Sequence, residues 1–595
     1  MAVRRAGRPP AAGRAAPGAR RAVAAPHRCV ARAARPAGAA ADATPTAVDT
    51  RTTPPQPAGA SAIDPAPTTD AARDLFSWTA QWWPVAVEAD LAREKPHASR
   101  LLGDRLVLWH DGAAWRAAAD VCSHRLAPLS EGRVDGQGRI VCSYHGWAYG
   151  GDGVPASIPQ AAHDSPRCEA AACASRRGAI ATRPVMVDVG VVWVWGESGA
   201  GAAAAAARCG RGARGRARAA RAPLPPSPAH ATPPPLLPTN RSTPALRAAL
   251  GDADPDARAT LTTQQFYVRD FPVPFNIMVE NLMDQSHVPF AHTNVASKRD
   301  SPWAAHFTVS RVGAAVAAEG ADGVSFDLEW SPDAASPPVT QRVRFRPPCY
   351  VEYRTPAAPG APDGDWRTLL FFLAVPLDGT TTRVFNHAWI VAPTLPPWVA
   401  ALAAARPRWI DHLLLNEVFD GDLAYLAQAS ANFADATSAA GGSGRDEAAA
   451  ASSPGSTTPS SSSSAWAKAY FMPACADNSV VAWRRWLHGR GRAGPGVVVA
   501  ARPPHGVPRA ALFDRGASHT AHCPSCAGAL RGAKRAATAL RLAAAAGAAA
   551  GAAAAPDLAS AVPALAAAAG AVAAAAALDA GAVRFVWKDY EHWKS

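Results

Sequence analysis

Between Leu75 and Gly196 the apolar residues come in short runs separated by polar turns. Arg105–His110 (RLVLWH) and Val185–Gly196 (VMVDVGVVWVWG) are β-branched and aromatic and are bounded by Gly and polar residues, which predicts strands. From residue 198 to 250 the periodicity disappears. Arg208, Arg211, Arg214, Arg216, Arg218 and Arg221 lead into a Pro-rich stretch, which predicts a disordered insertion. Order returns near Thr262. Thr368–Val375 and Arg383–Ala392 flank Asp378-Gly379, a hairpin signal. Pro396–Gln428 has a helical texture, Ser438–Ser464 is Ser/Gly/Pro-rich, and Ala469–Leu487 resumes an ordered pattern. No internal repeat is present. The pattern predicts an α+β protein: a β-rich domain over 73–197, then a domain of antiparallel sheet and helices over 251–432 and 466–534, interrupted by disordered segments at 198–250 and 433–465.

The last segment, 535–595, is Ala-rich. Leu558–Leu578 carries no charge over 21 positions, long enough to span a bilayer, although Pro563 interrupts it. Leu542–Ala555 is shorter. A membrane segment is expected here, and a soluble or disordered Ala-rich tail is the alternative. At the other end, the first 41 residues hold nine Arg and no acidic residue, and they lack the apolar core of a secretory signal. That composition predicts an organelle-targeting peptide over 1–41, followed by a Pro/Thr/Ala-rich linker over 42–72. Without those nine charges the formal +13 falls to +4. The basic character is therefore mostly the presequence, and nucleic acid is not an expected partner.

Ten cysteines in 595 residues are too sparse for a disulfide scaffold. Two of them sit in a doubled motif. Cys122-x-His124 and Cys142-x-x-His145 are separated by 17 residues that include Gly132, Asp135-Gly136 and Gly138, a β-turn texture rather than a finger helix. Two short Cys/His loops facing each other can grip a Rieske [2Fe–2S] cluster, with thiolates on one iron and imidazoles on the other. Gly146 and Gly150 are expected to let backbone approach the sulfurs. A Cys₂His₂ zinc site is the alternative.

A second constellation lies in Phe275–Asn294 (FNIMVENLMDQSHVPFAHTN), which contains Asn281, Asp284, His287 and His292. Asp284 and His287 fall on one helix face. His287 and His292 are five apart, about 140° around an ideal helix, so they converge only if the helix breaks, and Pro289 supplies a break. Two imidazoles and one carboxylate make the facial triad of non-haem Fe(II) oxygenases, with positions open for O₂. Asp420 and Asp422, on a predicted helix, are the candidate carboxylates. A solvated acid pair is the alternative. A third cluster, His519, His522, Cys523 and Cys526, reads as a redox dithiol, a structural zinc site or ordinary thiols.

The stretches CSHRLAPLSEGR and CSYHGWAYGGDG resemble the Rieske loops of ring-hydroxylating and chlorophyll-catabolic oxygenases. The segment ENLMDQSHVPFAH resembles the Asn-x-x-Asp-x-x-His-x₄-His motif of the same enzymes, especially the pheophorbide a oxygenase group. FDRGASHTAHCPSC resembles the C-terminal motif that this group shares with the 55-kDa inner-envelope translocon protein. Chlorophyllide a oxygenase is a weaker match because it lacks that thiol pair.

The resemblance implies that Cys122, His124, Cys142 and His145 hold the [2Fe–2S] cluster and that His287, His292 and Asp422 hold mononuclear Fe(II), with Asp420 the alternative. It implies that Asp284, beside Asn281, bridges the cluster histidine of one subunit to the iron of the next within a homotrimer. Ferredoxin would be the electron donor, O₂ and a tetrapyrrole the substrates, and thioredoxin the partner of Cys523 and Cys526. The expected activity is oxygenation of pheophorbide a at a chloroplast inner-envelope or thylakoid membrane. Chlorophyllide a or protochlorophyllide a is the alternative substrate. A redox-sensing subunit of the inner-envelope import machinery is the reading of another class, and the second motif disfavours a cluster-only electron carrier.

Overall fold

Three small antiparallel sheets build the first domain. In one, Trp82–Val87 pairs with Val191–Trp195, which pairs with Val185–Asp188. The apolar run Val185–Gly196 is therefore two strands rather than one. Its turn is Val189-Gly190, both with positive φ (49° and 74°). The turn was hidden because a β-branched residue occupies a left-handed position that normally selects Asn or Gly. A second sheet runs His97–Leu101, Asp104–His110, Trp115–Ala119, Thr182–Arg183. The third, of two- and three-residue strands from Arg133 to Ser157, carries the paired Cys/His loops.

The structure, a computed structural model, describes residues 76–208, 260–441 and 462–590, with gaps inside the first two. The expected targeting peptide and linker lie outside the described residues, as do 209–259. Residues 201–208 were expected to be disordered but are helical, and Ala202 and Ala206, four apart on one face, are buried in the main core. Small side chains gave no amphipathic signal there, yet they allow close packing.

The second domain is an eight-stranded antiparallel sheet. Strands Phe307–Ala315, Gly323–Trp330, Val339–Arg346, Tyr350–Pro356, Trp366–Pro376 and Thr382–Val391 follow one another as a meander. Thr260–Thr262 and Tyr267–Phe271 then pair one after the other along Thr382–Val391, against residues 389–391 and 382–386. The expected hairpin at Asp378-Gly379 forms, with the Asp378 carboxylate accepting from the Thr380 amide at 3.0 Å. In Trp366–Pro376 residues of both parities are buried, among them Leu369, Phe371, Phe372, Leu373 and Ala374. Residues of the helix Phe275–Met283 and of the first-domain strand Trp82–Val87 both lie against this strand.

Helix α1 (Phe275–Met283) buries seven of its nine residues. It is followed by the short α2 (Val288–Ala291). Helix α3 (Arg408–Gly441) is 34 residues long. It starts after Pro407 and runs through 433–441, where disorder was expected; Leu402 and Ala405 ahead of it are helical, and 396–401, 403 and 404 lie outside the described residues. Phe433 holds that end: its ring lies under the Arg484 guanidinium at 4.2 Å and beside Tyr470 at 5.0 Å. Helix α4 (Asn478–Gly489) supplies Trp483 and Trp486 to the main core.

The C-terminal helices α5 (Pro524–Ala554) and α6 (Leu558–Val583) form a hairpin. A Cβ at Gly551 would stand 2.2 Å from the Ala564 Cβ, so the two backbones touch through a missing side chain. Both helices are long and apolar enough to cross a membrane, with mean hydropathy 1.3 and 2.0. Pro563 does not interrupt α6, which passes through it.

Candidate metal centres

The two Cys/His loops share one backbone plan. In the first, the Cys122 amide donates to the Ala127 carbonyl (2.8 Å) and the Leu126 amide donates to the Cys122 carbonyl (2.9 Å). In the second, the Cys142 amide donates to the Trp147 carbonyl (2.9 Å) and the Gly146 amide to the Cys142 carbonyl (2.9 Å). The fifth residue of each loop has positive φ: Leu126 at 60° and Gly146 at 76°. Gly146 thus serves the turn, and a Cβ there would meet Pro159, not a sulfur. Gly150 likewise borders Asp152.

This plan buries both thiols and holds the imidazoles at half-exposed positions. The His124 and His145 ring centroids are 4.5 Å apart. His124 stacks on Trp147 (4.6 Å, 7° between planes), and Tyr149 Oη lies 3.1 Å from Cys122 Sγ. Two free buried sulfurs on one side and two adjacent imidazoles on the other fit the asymmetric donor set of a Rieske cluster. The loops root in their own apolar cluster of Val107, Trp109, Leu129, Ile140 and Ile180.

At the second site the helix breaks earlier than expected. Helix α1 ends at Met283, and Asp284 is extended (φ −94°, ψ 120°). Its Oδ1 accepts from the Ser286 amide (2.8 Å) and hydroxyl (2.6 Å), a local pairing that competes with helical hydrogen bonds. Asp284 and His287 therefore do not share a helix face. Pro289 occupies the first turn of α2, where its missing N–H costs nothing. The break swings His292 back, so that the His287 and His292 ring centroids are 5.3 Å apart.

Helix α3 brings Asp422 to both. Asp422 Oδ1 lies 3.5 Å from His287 Nε2 and 3.5 Å from His292 Nε2. Donor atoms each about 2.0–2.2 Å from one metal are about 3.0–3.5 Å apart, so the three fit a single ion. Tyr425 donates to Asp422 Oδ1 at 2.7 Å, and Asn281 Nδ2 lies 3.4 Å from both His287 Nε2 and Asp422 Oδ1. Gly421 permits this approach: a Cβ would stand 2.6 Å from the Ala291 carbonyl and 2.9 Å from His292 Nδ1. Asp284 Oδ2 lies 3.6 Å from His287 Nδ1. Burial pushes the His287 pKa down, but Asp284 and Asp422 outweigh it and the pKa is raised, the mark of a pocket arranged for positive charge.

Asp420 is elsewhere. Two residues apart on a helix means about 200° around it. Asp420 is fully buried, with Oδ1 2.7 Å from Arg269 and Oδ2 2.6 Å from Arg515. Neither arginine was singled out in the sequence, since each is paired only through the tertiary fold.

The third cluster gathers with one change of membership. His519, Cys523 and Cys526 are buried together with His412 of α3, and their ligand atoms lie within 4.8 Å of one another. His522 is exposed and stands apart. His412 gave no signal, because a lone His in a helical stretch reads as an ordinary core residue.

Residues 81–174 match the Rieske [2Fe-2S] domain, and residues 345–439, which include Asp422 and His412, match the domain described as pheophorbide a oxygenase. A chloroplastic flavonoid 8-hydroxylase 2 from Ocimum basilicum is 30% identical over 77% of this chain and 75% of its own. The chloroplastic pheophorbide a oxygenase of Oryza sativa subsp. japonica is 28% identical over 78% of this chain and 75% of its own. Among solved structures, dicamba monooxygenase bound to dicamba aligns with 70% of this chain and 99% of its own, at 16% identity and a TM-score of 0.43. The chain belongs to the Rieske-type non-haem iron oxygenases of the pheophorbide a oxygenase-like family. Its cofactors are a Rieske [2Fe–2S] cluster and a mononuclear non-haem iron.

Proposed function

We propose that this chain is a ferredoxin-dependent monooxygenase of chloroplasts that oxygenates a chlorophyll-derived tetrapyrrole, with pheophorbide a the leading substrate. The observation that carries it is the meeting of Asp422 with His287 and His292 around one point, 3.5 Å from carboxylate to each imidazole. A cluster-only carrier or a redox sensor has no use for that set. Cys122, Cys142, His124 and His145 would hold the cluster, and His287, His292 and Asp422 would hold the mononuclear iron, which would supply the activation of O₂.

The surrounding residues set up that chemistry. Asp284 faces His287 Nδ1 and favours a proton there, which leaves the Nε2 lone pair directed at the metal position. Tyr425 donates to Asp422 Oδ1 and fixes the carboxylate rotamer. Asn281 spans His287 and Asp422 and holds their separation. Asp284 is a quarter exposed, and His124 and His145 are half-exposed beside Leu126 and Tyr144, which are 72% and 63% exposed. That exposure supports a bridge between subunits of a homotrimer, Asp284 linking an imidazole of one copy to His287 of the next. The apolar hairpin of α5 and α6 supports attachment to the inner-envelope or thylakoid membrane, where a hydrophobic tetrapyrrole is at hand.

The test is turnover of the reconstituted full chain with reduced ferredoxin and ¹⁸O₂ against pheophorbide a, chlorophyllide a, protochlorophyllide a and a flavone. Label incorporated into pheophorbide a supports the proposal. Label in the flavone alone refutes the substrate class, and no incorporation into any of the four refutes the oxygenase reading.

A further inference from the structure

The cluster of His412, His519, Cys523 and Cys526 is not used by the oxygenase chemistry. It joins α3 to the start of α5, and all four side chains are buried. His412 Nδ1 is 3.1 Å from His519 Nε2 and 3.5 Å from each sulfur, and His519 Nε2 is 3.2 Å from Cys526 Sγ. Around one tetrahedral Zn²⁺, with Zn–S about 2.3 Å and Zn–N about 2.0–2.1 Å, the N···N edge is about 3.3 Å and the N···S edge about 3.6 Å. The observed N···N separation of 3.1 Å and N···S separations of 3.2–3.5 Å fall within about 0.4 Å of those edges.

The hydrogen bonds point the same way. His519 Nδ1 lies 2.6 Å from the Val268 carbonyl. A carbonyl only accepts, so the proton of neutral His519 is on Nδ1 and Nε2 presents its lone pair to the cluster. This is the arrangement by which a backbone carbonyl orients a metal-bound imidazole. The Tyr267 ring stacks on His519 at 4.8 Å and fixes its plane. His412 Nε2 is buried without a hydrogen-bond partner, so Nδ1 is the only nitrogen of that ring with something to face.

We propose that His412, His519, Cys523 and Cys526 bind one Zn²⁺ as a structural clamp that ties the helix carrying Asp422 to the C-terminal hairpin. Binding releases one proton from each thiol, and two thiolates with two neutral imidazoles cancel the charge of the ion. The closed site is then neutral, as a buried site requires. Trp409, Leu413, Leu530 and Phe585 line it with apolar surface, and four protein ligands leave no open position, as in structural rather than catalytic zinc sites. A dithiol that exchanges with a reductase needs an accessible sulfur, whereas Cys523 is 4% exposed and Cys526 is not exposed.

The test reads zinc, not oxygenation, so it stands apart from the outcome at the iron site. Full-length protein purified without chelator is analysed for zinc and iron together. The expected result is about one zinc per chain in addition to iron. His412→Ala and Cys526→Ser should each lose the zinc and keep the Rieske absorption, while His522→Ala should keep both metals. If those variants fail to fold, Co²⁺ substitution of the wild-type protein decides the matter. Intense tetrahedral d–d bands with thiolate-to-cobalt charge transfer support the site, and their absence overturns it. Iron-replete protein without zinc overturns it, as does a Cys523–Cys526 disulfide that thioredoxin reduces in the native chain.

Discussion

Replacing Asp420 and Asp422 one at a time separates two roles that sit two residues apart. Asp420 is fully buried between Arg269 and Arg515, themselves buried, with contacts of 2.7 and 2.6 Å. Asp420→Ala leaves two guanidinium groups out of water without their counter-ion. Removing one partner of a buried pair costs about 3–5 kcal/mol, and the value here should lie at the upper end because two cations share one carboxylate. At about 1 °C per kcal/mol for a fold of this size the unfolding temperature should fall by roughly 5 °C. Among the described residues no arginine pairs with Asp422. Its partners are Tyr425 at 2.7 Å, Asn281 at 3.4 Å and the two imidazoles. Asp422→Ala should leave the metal-free protein within about 1 kcal/mol of wild type and abolish binding of the mononuclear iron, with the Rieske absorption intact. The assay pairs calorimetry of the metal-free chains with iron analysis of the reconstituted ones. If Asp420→Ala loses the mononuclear iron at unchanged stability and Asp422→Ala retains it, the assignment is reversed and the reasoning fails.

Gly421→Ala would bring a methyl group 2.6 Å from the Ala291 carbonyl and 2.9 Å from His292 Nδ1; about 1–3 kcal/mol of overpacking and reduced iron occupancy are expected, read by unfolding and metal analysis. Tyr425→Phe removes the 2.7 Å hydrogen bond to Asp422 and should weaken iron about 10–100-fold, measured by competition with a chelator of known affinity. His124→Cys exchanges a neutral ligand for an anionic one, so if the cluster assembles its potential should drop by on the order of 100 mV or more; an unchanged titration counts against His124 as a ligand. Asp284→Asn keeps both metals but removes the charge facing His287 Nδ1, and transfer from the reduced cluster to the iron should slow by at least tenfold in stopped flow.

The first metal motif was legible because its four residues lie within 24 positions of sequence and each loop closes its own hydrogen bonds. The second was legible in its histidines, yet the break was placed at Pro289 when the Asp284 side chain makes it through Ser286. The choice between Asp420 and Asp422 depended on what each faces across the fold, and the sequence around them does not contain Arg269 or Arg515. His412 lies more than 100 residues from its cluster partners, at a separation of 107 from His519, so no spacing rule reaches it. Residues 201–208 were read as disordered because periodicity is lost ahead of an Arg- and Pro-rich stretch, and 433–441 because they border a Ser/Gly/Pro-rich one, but Ala202, Ala206 and Phe433 anchor both. The carboxylate choice, His412 and the two helical stretches were decided by long-range partners, whereas the break at Asp284 is local.

The central claim is that the His287, His292 and Asp422 centre takes electrons from the Rieske cluster to oxygenate a tetrapyrrole. The most direct measurement is a single turnover: ferredoxin-reduced, ferredoxin-free protein is mixed with pheophorbide a and ¹⁸O₂, and cluster absorption and product mass are followed together. Wild type should reoxidise its cluster as labelled product appears, while His287→Ala should leave the cluster reduced and the pigment unlabelled. A His287→Ala protein that forms labelled product at the wild-type rate, or a wild-type cluster that reoxidises with no label in the tetrapyrrole, would contradict the account.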